Sequence, residues 1–129
     1  MISTVTTNHV VSHDSIARFA AAVGASDLRV APPTFPIVFL IGEQEKMLAD
    51  PALAYDYSRV VHREQHFSHH RPIRPGDQLT VDIVLDAIEL VRGNAVATFA
   101  IEISGDGETV CTGRASLVSR APEMAEVAA

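Results

Sequence analysis

The run "TFPIVFLIGEQEKML" constrains the fold more than any other stretch of the chain. Its spacing predicts a helix over residues 35–49. Thr34 can cap it, and Pro36 is tolerated in the first turn, where a backbone donor has no helical partner. The first half, "FPIVFLI", is apolar on every side, whereas "GEQEKML" is amphipathic. A helix that is apolar all round should be buried all round. The rest of the chain must therefore supply a surface that wraps it.

Four segments can do so: "SRVVHREQHFSHH", "DQLTVDIVLDAIELV", "NAVATFAIEIS" and "ETVCTGRASLVS". In the second, Leu79, Val81, Ile83 and Leu85 alternate with Thr80, Asp82 and Val84. In the third, Ala95, Ala97, Phe99, Ile101 and Ile103 share one face. Period-two alternation marks strands buried on one side. The intervening "RPGD", "RGN" and "SGDGE" supply reversal residues, so the last three strands form an antiparallel meander. Upstream, residues 12–24 read as a small helix. Ser12 or Asp14 can cap it, Ile16, Phe19, Ala20 and Val23 form its apolar stripe, and Gly24 suits its end. The prolines of "VAPPTFP" make the link to the buried helix stiff and extended. The expectation is an α+β domain in which one helix is buried against a curved antiparallel sheet.

Composition narrows the function. The chain has 129 residues and a net charge of −6. It is long enough for one domain with a real core, and too acidic for a nucleic-acid surface. The single cysteine, Cys111, excludes an internal disulfide, fits a reducing compartment and reads as a small core residue. "MISTVTTNHVV" lacks the basic and apolar regions of a secretory signal, and "PIVFLIG" is too short to span a membrane. These features predict a soluble cytoplasmic domain over residues 1–119, with residues 120–129 as a flexible tail.

The densest chemistry lies in "VVHREQHFSHHRPIRPGDQLTV", which carries His62, His66, His69 and His70 with Arg63, Arg71 and Arg74. On a regular strand His62, His66 and His70 share one face and His69 takes the other. Same-face neighbours on a strand are about 7 Å apart, and these are twice that, too far to converge on one ion. No metal is expected. The histidines are either hydrogen-bonded strand residues or lining for a channel, with His62 the best candidate for lining. Arg71 is either an anion contact at a channel mouth or a salt-bridge partner of Asp77. Pro75-Gly76-Asp77 reads as a turn. Glu43 and Glu45 follow the apolar half-helix. Glu43 would need partial burial to act as an acid or base. The start of that helix, "PPTF", offers N–H groups that could polarise a carbonyl, although Pro36 removes one donor.

The pieces "IARFAAAVG", "VAPPTFP", "HREQHFSHHRPIRPGDQL" and the terminal hairpin together resemble the MaoC-like (R)-specific hydratase/dehydratase superfamily. The likeness is greatest to its N-terminal-type domains and to subunits of (3R)-hydroxyacyl-carrier-protein dehydratases. It implies a single hot-dog domain that dimerises edge to edge and handles acyl thioesters of coenzyme A or acyl carrier protein, with no cofactor. The acyl chain would lie beside the buried helix. Thr34, Phe35, Phe39, His62, Gln65 and Arg71 would be its contacts. Catalytic members carry an Asp and a His in a "D-x-N-P-x-H" loop after the first helix, as general acid and base. Here that loop is "GASDLRVAPP". Asp27 stands near the acid's place, and no histidine precedes Pro32. The resemblance then implies a channel or scaffold subunit, paired in a heterodimer with a MaoC-like catalytic subunit. The alternative is a self-sufficient homodimeric dehydratase or thioesterase using Glu43 with a strand histidine, His62 or His66. A third possibility is an acyl-ligand binder unconnected with dehydration.

Overall fold

A computed structural model describes residues 1–120. The rest of the expected tail lies outside the described residues. Among the described residues, five strands form one antiparallel sheet: β1 (Ser3–Val10), β2 (Val60–His69), β3 (Gln78–Val91), β4 (Asn94–Gly105) and β5 (Glu108–Ser119). Their spatial order is β1-β3-β4-β5-β2, so β1 and β2 are the two edges. The meander β3–β4–β5 follows the expected alternation. Leu79, Val81, Ile83 and Leu85 are buried, as are Ala97, Phe99, Ile101 and Ile103. Its turns place Arg92 and Gly93, then Asp106 and Gly107, at positive φ. Two consecutive positive φ values match the right-handed twist of a tight hairpin. β3 carries a bulge between Leu85 and Ala87, which brings Ile88 opposite Ala97 and curves the sheet.

Helix α1 (His13–Val23) starts at Ser12, whose hydroxyl accepts from the Ser15 N–H, and ends at Gly24 in the left-handed region. Ile16 and Ala20 are buried, but Val23 is exposed, so the apolar stripe is one turn shorter than its spacing predicts. The expected 35–49 helix is two pieces. A 3₁₀ turn spans Phe35–Phe39, and α2 (Ile41–Leu48) follows it. Pro36 and the β-branched Ile37 and Val38 weaken a regular α-helical start. The Leu40 N–H bonds back three residues to Ile37, and α-helical spacing begins only when Gln44 bonds to Leu40.

Phe35, Phe39, Leu40, Met47 and Leu48 pack against the inner sheet face in one core with Leu79, Val81, Phe99 and Ile103. Fully burying each such side chain stabilises the fold by about 1.5–3 kcal/mol. Burial is not all round, however. Val38 and Ile41 are about half exposed, at 50% and 51%. The sheet wraps one side of this segment and leaves the other open. Among the described residues, no helix is long and apolar enough to cross a membrane.

Candidate functional site: a groove beside the free edge of β2

Among the described residues β2 pairs only with β5, which leaves its other edge without a strand partner there. Beside it runs a groove of about 530 Å³. Phe19 of α1 forms one wall, Pro33, Thr34 and Ile37 another, and β2 the third, from His62 to Phe67 with His69. The stiff proline link holds the second wall in place, because the Ala31 N–H donates to the Ile73 carbonyl at 2.7 Å.

A bulge decides which β2 side chains share a face. The register with β5 shifts between His62 and Glu64. His62 lies opposite Leu117, Gln65 opposite Ala115, Phe67 opposite Gly113 and His69 opposite Cys111. Leu117, Ala115 and Cys111 are all buried. Because paired residues share a face, His62, Gln65, Phe67 and His69 lie on the inner side. His66 lies opposite the exposed Arg114, on the outer side. The regular-strand expectation is therefore corrected twice: His62 and His66 are separated, and His62 and His69 are together. The extra residue of the bulge inverts the alternation beyond it.

Of the expected contacts, Thr34, His62 and Gln65 line the groove. The Gln65 Nε2 donates to the Arg114 carbonyl at 3.2 Å, while its Oε1 is buried without a partner. Phe35 and Phe39 do not line it. They are 1% and 8% exposed and belong to the core behind it. Phe35 meets Phe19 edge to face at 5.6 Å and Phe39 at 5.5 Å, so the rings back the groove wall. Arg71 lies beyond the groove, in an ion pair with Asp77 at 2.8 Å. Of the donors at this helix start, the Phe35 N–H bonds to Pro32 and the Ile37 N–H to Thr34, so neither is offered to a carbonyl.

The acid–base candidates lie apart. Asp27 is exposed and accepts from the Arg29 side chain at 3.1 and 3.2 Å and from its backbone N–H at 2.9 Å. Those bonds hold its carboxyl below the usual carboxylate range. Glu43 is partly buried beside Lys46, at 3.6 Å. Its charge acts on His9 of β1, at the opposite edge of the sheet from His62. Burial lowers the basicity of His9, and Glu43 offsets part of that. Its ring stacks on Phe39 at 4.5 Å, and its Nε2 lies 2.8 Å from the Thr7 hydroxyl. His9 was missed from the sequence, although Val5, Thr7 and His9 alternate with Thr4, Thr6 and Asn8 and carry a period-two signal. Among the described residues, no three His, Cys, Asp or Glu side chains gather as a metal site would require.

Residues 20–112 match the model of the family described as "FAS1-like, dehydratase domain region". A UPF0336 protein of Saccharopolyspora erythraea is 43% identical over 102 residues, covering 78% of this chain and 65% of that protein. The chain thus spans about two thirds of that relative's length. Among solved structures, HtdX of Mycobacterium tuberculosis superposes with a TM-score of 0.82 at 17% identity, over 90% of this chain and 50% of HtdX. The HadBC complex of the same organism, a (3R)-hydroxyacyl-ACP dehydratase, gives 0.70 at 20% identity, over 92% of this chain and 97% of the matched one. At these identities the structural matches speak for the fold, and they agree on a hot-dog domain.

Proposed function

This chain belongs to the FAS1-like dehydratase-domain family, and on that premise we propose that it is the substrate-channel subunit of a heteromeric (3R)-hydroxyacyl-thioester dehydratase. One observation carries the reading. Where catalytic relatives hold an Asp and a His, this chain has Asp27 neutralised by Arg29 and no histidine from Gly24 to Pro32. An exposed carboxylate held ionised by an arginine is a poor proton donor at neutral pH. The groove beside β2 offers an apolar wall with a few polar side chains, the make-up of a small-molecule site. The free β2 edge offers backbone groups to a second hot-dog domain. In this reading the partner is a cytoplasmic MaoC-like subunit bearing the Asp/His loop. It supplies the proton transfers that remove water, while this chain holds the acyl thioester of acyl carrier protein or coenzyme A.

The test is co-expression with such a subunit, a pull-down, and a dehydration assay on 3-hydroxyacyl thioesters. The complex should turn over, and this chain alone should not. Substantial turnover by the purified chain alone, abolished by mutating one of its own residues, would refute the proposal.

A second reading, a self-sufficient homodimeric enzyme, draws on Glu43. Its imidazole neighbour is His9 rather than His62 or His66. Unchanged hydrolysis and dehydration by Glu43→Gln would remove that reading.

A further inference from the structure

A second cavity, of about 400 Å³, lies next to the groove, with Val30, Ala31, Pro72 and Ile73 in its walls. Two residues line both spaces: Pro33 and His69. They are joined directly, with His69 Nε2 at 2.6 Å from the Pro33 carbonyl oxygen. A carbonyl can only accept, so Nε2 carries the proton and donates it. The backbone on either side is anchored. The Ala31 N–H is bonded to Ile73 and the His70 N–H to Val110. Phe67 flanks the imidazole, with ring centroids 6.2 Å apart. The two spaces thus meet at one side chain reaching one backbone carbonyl, between two anchored segments.

We propose that His69 sets the acyl-chain length this subunit accepts, by closing the groove against Pro33 and excluding the chain from the second cavity. The inference rests on the reading of the groove as an acyl-thioester site and deepens it. His70 and Arg71 also line this second space, but Val30, Ala31, Pro72 and Ile73 make its walls mostly apolar, which suits methylenes. With the His69–Pro33 bond in place, an acyl chain long enough to reach His69 gains nothing from further carbons. With the imidazole removed, each added methylene buried in the second cavity tightens binding by about fourfold. His69 is exposed and outside the core, so its replacement leaves the core packing in place.

The experiment measures binding of a homologous series of straight-chain acyl-CoA thioesters by calorimetry, which needs no catalysis. Wild type should show affinity that rises with length and then levels off. His69→Ala should move that plateau to longer chains. His69→Gln, whose amide can still donate to the Pro33 carbonyl, should keep the wild-type plateau. Val30→Trp in the His69→Ala background refills the second cavity and should restore it. An unchanged plateau in His69→Ala, with wild type binding normally, overturns the role of His69 and leaves the acyl-site reading standing. Absence of binding at every length by wild type, alone and with its catalytic partner, overturns the acyl-site reading and this inference with it.

Discussion

Arg71 and Asp77 face each other across the connection between β2 and β3, with Nη1 2.8 Å from Oδ2 and Nη2 3.3 Å from Oδ1. The Arg74 N–H bonds to the same carboxylate at 2.8 Å, and Arg71 also donates to the Pro72 carbonyl at 2.9 Å. Both charged side chains are largely covered. The pair fastens the "RPIRPGD" loop, and with it the second cavity beside Ile73.

Asp77→Asn should cost about 2 kcal/mol, since charge-assisted bonds are worth more than neutral ones. Burial pushes the Asp77 carboxyl up, but Arg71, the Arg74 N–H and both positive charges outweigh it and leave it below 3.8. A carboxyl depressed in the folded state stabilises the fold above its unfolded value and loses that contribution as pH falls through its folded value. Urea unfolding from neutral to acid pH should therefore show the gap between wild type and Asp77→Asn closing only below about pH 4.

Gly113 of β5 lies opposite Phe67 of β2, with no room for a side chain. A Cβ there would sit 2.8 Å from the His66 carbonyl oxygen and 3.0 Å from Phe67 Cδ1. The first of these is backbone and cannot rotate away. Gly113→Ala should cost about 1–3 kcal/mol through forced backbone displacement. It should also weaken acyl-thioester binding, because the displaced strand is the groove wall. Equal binding and equal denaturation midpoints for the two proteins would count against this geometry.

Tyr55 donates from its hydroxyl to the Leu117 carbonyl at 2.9 Å, in the core. Burial pushes its phenol up to about 12. Tyr55→Phe should lower stability by about 1 kcal/mol. An acid raised in the folded state destabilises the fold as pH rises from its unfolded to its folded value. Wild type should therefore lose stability between pH 10 and 12 more steeply than Tyr55→Phe in thermal melts.

Asp27→Asn should leave dehydration by the heteromeric complex within about twofold of wild type, a change of about 0.4 kcal/mol in barrier. Steady-state assay of the co-purified complex checks this. A loss of a hundredfold or more would return Asp27 to the reaction.

The meander was legible because Leu79 to Leu85 and Ala97 to Ile103 keep an apolar residue at every second position. β1 was not, because threonine stands on both of its faces and the period-two signal of Val5, Thr7 and His9 is only weakly apolar; its pairing with β3 is what turns that face to the core. Residues 35–49 were legible as buried helix in part. Composition alone could not show that Pro36 would tighten the first turn, or that Val38 and Ile41 would stay half exposed. At the groove, Thr34, His62 and Gln65 were legible as residues, but their grouping was not. The bulge after His62 changes which side chains share a face, and a bulge leaves no mark in hydropathy.

By itself the sequence determined local matters: strand alternation, hairpin turns, a helix cap at Ser12 or Asp14, and the absence of a histidine from Gly24 to Pro32. Each depends on residues within a few positions of one another, where backbone sterics and periodicity act. The tertiary structure alone decided that the Glu43 charge acts on His9, that Arg71 is bound to Asp77, and that His69 closes on Pro33. The last two residues are 36 positions apart. Their meeting depends on the β2 bulge, the β5 register and the stiff proline link acting together.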